Sequence, residues 1–366
     1  MEKMVNYDEL KKNLEDIGIT GLPDEETYPL EVTLDRVVAT IKANGEAEFQ
    51  TIGGFKQTGD TITSPTGKTI KVGDYVNYDP TLGANSSDIV YSSPASKTGA
   101  GSDQSFDAAT YKNAGYGWRV LGVKNGKIRL ISEEFVGAGT YSDSSRTYYT
   151  LRGQNGYING INELNTISAI FGHGKGAESA TSITVDDINA ITGYDPEVAK
   201  YNEGYWGEYN STVTYTRGSG TALSSSATNG RTWSGTQSTF NYYDKQEKTF
   251  KTLTGSTSIT STYYYYSGNN ENSIIFGVRC DDGYYRTFTG EGAPTKYWLA
   301  SDYAYASDCG VYWGLRYVDS GEVGSSDLCY SNGYTNYIRY GVRPVVSLKS
   351  DISLEWNDTA QEWQIQ

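Results

Sequence analysis

Histidine, methionine and cysteine are the residues that this chain has least of. Its 366 residues include one histidine, two methionines and three cysteines. The histidine, His173, stands in the stretch FGHGKG with neither a GxSxG motif nor a cysteine–histidine context, so nucleophilic catalysis has almost no support and a loop histidine is the expectation. The cysteine spacings match no zinc motif. We therefore predict a protein that is not an enzyme, with no catalytic residue, no metal and no cofactor.

An odd number of cysteines leaves at least one thiol unpaired. Cys309 and Cys329 could form a bridge, with Cys280 buried as a small apolar residue. Because an odd count does not look like a disulfide framework, the sequence favours free thiols and leaves this bridge as the alternative.

Long apolar runs and a surplus of basic residues are also missing. No segment approaches the length of a membrane span, and the polar sequence after Met1 predicts no signal peptide. The net charge of −14 argues against nucleic acid as a partner and against adsorption to an anionic membrane surface. We expect an extracellular or cell-surface protein that reaches a membrane only through an anchor missing from this sequence.

Glycine and tyrosine, by contrast, are abundant, with 42 and 33 residues. This composition suits a protein rich in strands and loops better than a helical enzyme. Residues 6–17 predict a short helix with Asn6 as its N-cap, and alternating segments separated by glycine turns predict strands between residues 28 and 71. We predict a small α/β module over residues 1–71 and a strand- and loop-rich α+β domain over residues 72–366.

The second segment contains one distinct hairpin pattern. Residues 117–132 carry two apolar runs around Asn125 and Gly126, a pair that favours a tight hairpin turn. The remaining strands and hairpins are predicted over residues 273–288, 297–301, 310–318, 341–348 and 352–365.

Helices are few in the second segment. One is predicted over residues 161–171, and another begins near Thr184, which fits a capping box with Asp187. Residues 224–239 are rich in serine, threonine and glycine and predict exposed loops. SPTGKT, at residues 64–69, lacks the full phosphate-loop pattern and predicts a turn between strands.

Tyrosines concentrate between residues 303 and 340, where Ser, Gly, Asn and Asp separate them. Tyrosine offers a large contact area with little loss of rotamer entropy, together with a hydroxyl group for a hydrogen bond. Val311, Trp313 and Leu315 alternate as a buried face, so Tyr312 should point the other way. Tyrosines that only cover sheet faces are the alternative, which suits residues 263–266 but not the irregular sequence of residues 330–340.

The motifs YWLAS, GLRYV, GEVGSSDLC, SNGYT and GVRPVVSL, with VGDYVNYDP, WRVL and IRLIS upstream, make residues 72–350 resemble a known family. The chain resembles bacterial C-type-lectin-fold proteins that are related in fold to the formylglycine-generating enzyme. It looks most like the variable proteins that diversity-generating retroelements diversify. The resemblance implies a C-type lectin-like domain with a variable ligand-binding region over about residues 300–344, displayed on a cell surface.

In such proteins, error-prone copying at template adenines converts Asn codons into codons for Tyr, Ser, Asp, Gly, Ile and others. The resemblance implies that side chains at matching positions form an exposed surface for a protein or glycan ligand. These ligand-binding positions are Tyr303, Tyr305, Asp308, Tyr312, Tyr317, Ser325, Ser326, Asp327, Tyr330, Tyr334, Tyr337, Ile338 and Tyr340.

Three alternatives accompany this interpretation. A phage receptor-binding protein on a virion would use the same face. An oxidase related to the formylglycine-generating enzyme would need a copper-binding thiol pair, and the sequence around Cys309 and Cys329 does not match that enzyme's active-site motif. Trp356-Asn357-Asp358 matches a motif of calcium-binding lectins but lacks its EPN or QPD partner, which favours a hairpin with Trp356 and Trp363 as cross-strand partners.

Overall fold

The fold is taken from a computed structural model of the chain. The residues that the structure describes are 30–34, 37–41, 47–51, 54–136, 148–192, 214–217, 231–244, 247–263, 296–307, 310–319 and 322–366. The helix predicted at residues 6–17 and the hairpin predicted at residues 273–288 lie outside them.

Strands dominate the described residues, and helices are few, which confirms the strand-rich α+β prediction. The helices are α1 (Ala95–Thr98), α2 (Ala108–Asn113), α3 (Gly153–Ala169) and α4 (Val185–Thr192). The first strands are β1 (Leu30–Leu34), β2 (Val37–Ile41), β3 (Ala47–Thr51), β4 (Lys56–Thr58), β5 (Thr61–Thr63), β6 (Thr69–Lys71), β7 (Tyr75–Asn77), β8 (Val90–Ser93), β9 (Gln104–Asp107), β10 (Trp118–Lys124), β11 (Lys127–Ser132) and β12 (Tyr149–Arg152). The later strands are β13 (Ala177–Ser182), β14 (Thr214–Arg217), β15 (Arg231–Asp244), β16 (Thr249–Tyr263), β17 (Tyr297–Ser307), β18 (Gly310–Asp319), β19 (Glu322–Tyr330), β20 (Tyr337–Tyr340), β21 (Pro344–Leu348), β22 (Leu354–Asn357) and β23 (Glu362–Ile365).

A sheet with the strand order β13-β21-β11-β10-β7-β23-β22 carries much of the core. Its central hairpin, β10–β11, confirms the prediction from residues 117–132. Asn125 and Gly126 connect the two strands with φ angles of 53° and 73°, and these left-handed conformations suit the twist of a two-residue hairpin. Ile128, Leu130 and Val120 of this hairpin are fully buried.

The carboxyl-terminal hairpin of β22 and β23 forms one edge of this sheet. Trp356 and Trp363 are directly opposed across β22 and β23, with ring centroids 5.3 Å apart, as predicted. β23 then pairs in parallel with β7. Asn357 accepts hydrogen bonds from the backbone N–H groups of Thr359 and Ala360, so this asparagine stabilises the turn.

Helix α3 begins eight residues before the predicted start at residue 161. Two glycines explain the difference. A Cβ atom at Gly160 would lie 2.7 Å from Leu315 Cδ1, and one at Gly156 would lie 3.2 Å from Leu151. The glycines lower helix propensity but let the helix approach β12 and β18 closely, and tertiary packing therefore decides the conformation.

Helix α4 begins with the predicted capping box. The Asp187 N–H donates to Thr184 Oγ1 at 3.1 Å, and the Thr184 N–H donates to Asp187 Oδ2 at 3.2 Å. Asp187 also pairs with Arg129 at 2.6 Å and with Lys124 at 2.7 Å. Burial opposes ionisation of Asp187, but these cations outweigh it and lower the pKa to about 2. The carboxylate thus joins α4 to the central hairpin.

The loop prediction for residues 224–239 is wrong from Arg231 onward. Residues 231–244 form β15, which pairs with β16 over most of its length. Threonine is frequent in both strands, and its β-branched side chain favours extended backbone even where the sequence is polar. Phe240 is fully buried, and Phe250 contacts Trp313 with centroids 5.3 Å apart, so apolar residues anchor one end of the ribbon.

Residues 54–71 contribute to the same hydrophobic core as the later sheets. Phe55, Ile62 and Ile70 are buried within it, and the Phe55 N–H donates to the carbonyl oxygen of Gly126 at 2.9 Å. Residues 64–69 form the predicted turn between β5 and β6. The division of the chain at residue 71 stays a prediction.

Candidate functional site

The predicted binding region is built on an antiparallel sheet of β17, β18 and β19. Val311, Trp313 and Leu315 of the middle strand are buried, while Tyr312 is half-buried, as the alternation predicted. Helix α3 packs on the buried face through Gly160 and Leu315. The sheet therefore has a core face and an outer face, and the register decides where each predicted residue lies.

The register divides the predicted binding residues between the two faces. Directly opposed residues share a face of the sheet. Tyr312 lies opposite Tyr330. Gly314 lies opposite Tyr303 on one neighbouring strand and opposite Asp327 on the other, and these residues define the outer face. Ser325, opposite Arg316, lies on this face too. A bulge between Trp313 and Gly314 places Asp327 and Tyr330 on the same side although they are three residues apart.

Tyr317 and Ser326 lie on the core face, which is a correction to the predicted exposed surface. Tyr317 and Tyr340 pack with centroids 4.6 Å apart, and Tyr340 also packs on Trp298 at 4.6 Å. The hydroxyl groups of Ser326 and Tyr340 form a hydrogen bond of 2.7 Å. Their side chains are half-buried or buried and join β20 to the sheet.

Exposure divides the predicted positions further. Tyr334 and Tyr337 are 61% and 51% exposed, and Ser325 is exposed, whereas Tyr303 is only 3% exposed. The expectation of a solvent-exposed side chain is therefore wrong for Tyr303 and for the buried Ser326. The half-buried members are Tyr312, Tyr317, Asp327, Tyr330, Ile338 and Tyr340. Tyr305 stands opposite Tyr312 in the β17–β18 register, and Asp308 lies outside the described residues.

Three tyrosines form a continuous ladder of rings, Tyr312, Tyr330 and Tyr334. Centroids of the first two are 4.7 Å apart at an interplanar angle of 69°, and those of the second and third are 5.3 Å apart at 77°. These edge-to-face contacts are favourable for aromatic pairs. A turn with Gly333 at φ 89° brings Tyr334 back over the strand, so the ladder has a defined conformation.

Hydrogen bonds fix the position of Tyr330, the middle residue of the tyrosine ladder. Asn336 Nδ2 donates to Tyr330 Oη at 3.0 Å and to the carbonyl oxygen of Asp327 at 2.9 Å. Tyr303 and Tyr330 both donate their hydroxyl groups to the Asp327 carboxylate. Burial of this carboxyl group raises its pKa to about 6. The outer tyrosines thus rest on a half-buried polar framework.

The segment of residues 330–340 is less irregular than predicted. Residues 337–340 form β20, which pairs with β12 from Tyr149 to Arg152. Ile338 and Tyr340 face inward, and Tyr337 and Arg339 face solvent. The alternation of this tetrapeptide, YIRY, could have indicated a strand, but it is too short to be distinctive.

Sequence reasoning missed three residues at this site. Asn336 supports Tyr330, Arg316 lies with its guanidinium 5.6 Å from the Tyr303 ring centroid, and Arg339 lies 6.0 Å from the Tyr337 centroid. None of the three is among the positions matched to the variable proteins. Their roles depend on which side chains the register brings together.

The cysteine that the structure describes shows no sign of activation. Cys329 is a free thiol and is buried, so the alternative of a bridge with Cys309 is wrong. Burial, with the nearby Asp327 charge, raises the pKa of this thiol far above its ordinary value. No group of three or more histidine, cysteine or acidic side chains is placed to hold a metal within the described ranges. His173 is exposed in a loop, as predicted.

One further cavity lies apart from the predicted binding residues. It is lined by β8, β9 and the start of α2, with Tyr91, Phe106 and Thr110 among its walls. None of the predicted positions contributes to it.

Among the helices that the structure describes, none has the length and apolar character needed to cross a membrane. Comparisons with family models, with curated proteins and with solved structures find no match to this chain.

Proposed function

We propose that this protein is a non-enzymatic ligand-binding protein whose ligand contacts the outer tyrosines. The observation that carries the proposal is the tyrosine ladder, Tyr312, Tyr330 and Tyr334, with Tyr337 nearby in sequence on β20. Tyr334 and Tyr337 are more than half exposed. Exposed large aromatic groups on an ordered framework are typical of recognition surfaces.

Preorganisation explains how such a surface binds. Ring contacts and the hydrogen bond from Asn336 restrict Tyr330 before any ligand arrives. Less rotamer entropy is then lost on binding, and more of the contact energy contributes to affinity. The hydroxyl groups add directional hydrogen bonds, so a few of these tyrosines would dominate the affinity.

The domain assignment and the origin of the surface are parts of the same proposal. The domain is C-type lectin-like, residues 300–344 are its variable region, and a retroelement diversifies them. In support, replaceable outer positions alternate with buried framework residues such as Trp313, Leu328 and Val342. The protein is displayed on a cell surface, where variation of its ligand-binding region would be useful.

The test is to sequence the DNA around the gene. We expect a near-copy of the segment encoding residues 300–344 beside a reverse transcriptase gene, differing only where the template has adenine. The differing codons should include those of Tyr312, Tyr330, Tyr334 and Tyr337, and the codons of Trp313 and Leu328 should match and serve as the internal control. The absence of such a copy would refute diversification, and differences spread over the framework codons would refute the assigned surface.

A further inference from the structure

Two exposed arginines flank Tyr337 on the two-stranded sheet of β12 and β20. Arg152 is directly opposite Tyr337, and Arg339 is two residues further along the same strand. Directly opposed residues, and residues two apart in a strand, share one face of a sheet. All three side chains are exposed, and the Arg339 guanidinium lies 6.0 Å from the Tyr337 ring centroid.

These arginines differ from the others whose side chains the structure describes. Arg119, Arg129, Arg316 and Arg343 are buried. Arg129 is satisfied by Asp187, and Arg343 donates to backbone carbonyl groups. Among the described residues, no carboxylate forms an ion pair with Arg152 or Arg339. In a chain with a net charge of −14, two unpaired guanidinium groups beside an exposed ring form a local anion-binding surface.

We infer that Arg152, Tyr337 and Arg339 bind an extended acidic peptide segment whose carboxylates are two residues apart. The inference rests on the proposed function, whose ligand class it specifies. Arg152 and Arg339 are diagonal neighbours across the ladder, a separation of about 7–8 Å between Cα atoms. Alternate side chains of an extended chain are about 7 Å apart on one side, so each carboxylate meets one guanidinium fork, and bidentate pairing is available to both.

The arginines would give every variant of the surface the same preference. Arg152 lies outside the region of residues 300–344, and Arg339 is not among the positions matched to the variable proteins. Tyr337 is one of those positions and lies between them. The fixed pair therefore selects acidic peptides as a class, and the variable residue discriminates among them.

The experiment measures fluorescence anisotropy of labelled peptides with the full chain. One short peptide alternates aspartate with threonine, and a second has the same composition with its aspartates in one block. We expect tighter binding of the alternating peptide, with a dissociation constant that rises about tenfold in the double variant Arg152→Gln, Arg339→Gln because two exposed ion pairs are lost. The control is the double variant Lys56→Gln, Lys71→Gln, whose substitutions lie on β4 and β6. It changes the net charge by the same amount as the arginine variant and should leave binding unchanged.

Three outcomes would overturn the inference. Equal loss of affinity in the lysine control would mean that only net charge matters. Equal binding of the two peptides would refute the carboxylate spacing. If an oligouronate binds and neither peptide does, the surface recognises an acidic glycan. Each outcome leaves the DNA test of the proposed function unaffected, because a diversified surface can recognise ligands that are not acidic.

Discussion

Individual tyrosines of the carboxyl-terminal region have different roles despite their similar sequence surroundings. Tyr334 and Tyr337 are more than half exposed, whereas Tyr340 packs on Trp298 and Tyr317 and forms a hydrogen bond with Ser326. Burial raises the cost of losing a ring. The same substitution should therefore affect recognition at one position and stability at another.

The double variant Tyr334→Ala, Tyr337→Ala should unfold in urea within about 0.5 kcal/mol of the parent protein, as is usual for exposed positions. Tyr340→Ala should lose about 2 kcal/mol, because it removes two ring contacts and a hydrogen bond. The measurement is equilibrium urea unfolding followed by tryptophan fluorescence. A large loss in the double variant would mean that these tyrosines belong to the core.

Asp327 makes stability depend on pH in an unusual direction. Burial raises its pKa from an ordinary 3.8 to about 6, so the folded state binds the proton more tightly than the unfolded state does. The associated stability is fully present below pH 4 and is lost as the pH rises through 6, a difference of about 3 kcal/mol. The hydrogen bond from Tyr330 lowers the pKa and so reduces the amount, but burial decides the sign.

The variant Asp327→Asn removes this titration. We expect the free energy of unfolding of the parent protein to fall, relative to that of the variant, as the pH rises from 4 to 7. Urea unfolding of both proteins at several pH values measures this difference in the free energy of unfolding. Parallel curves for the two proteins would show that the carboxyl group titrates normally.

At the scale of elements, one carboxylate holds helix α4 to the central sheet. Asp187 caps the helix through Thr184 and forms a buried ion pair with Arg129. Its neighbour Asp186 is exposed and has neither contact. Both acidic residues lie in the first turn of the helix, but only the tertiary structure distinguishes them.

The substitution Asp187→Ala should cost about 3–5 kcal/mol, because it leaves the Arg129 guanidinium buried without its partner. Asp186→Ala is the matched control and should cost less than about 1 kcal/mol. Equilibrium unfolding of both variants gives the comparison. Equal losses would show that the charge near the helix end matters and the ion pair does not.

For the whole molecule, the core joins segments that are far apart in sequence. Phe55, Ile62 and Ile70 share one core with Trp363 near the other end of the chain. Residues 54–71 therefore stabilise the sheet that carries the carboxyl-terminal hairpin, and their removal should matter to the whole fold.

A chain of residues 72–366 should be less stable than one of residues 54–366 by about 5 kcal/mol, the cost of leaving three large apolar side chains without their burial. Urea unfolding of the two proteins measures the difference. Equal stability would support a domain boundary at residue 71 and would show that β4, β5 and β6 add nothing to the core.

The sequence by itself determined the features that depend on local interactions. The Asn125–Gly126 hairpin, the capping box of Thr184 and Asp187, and the alternation of Val311, Trp313 and Leu315 were all predicted, because turn geometry, helix capping and strand periodicity involve neighbouring residues. Only the tertiary structure decided the length of α3, where glycines permit close packing. It also decided which tyrosines are exposed, because a register and a bulge that no local pattern reveals place Tyr312 and Tyr330 on the outer face and Tyr317 on the core face.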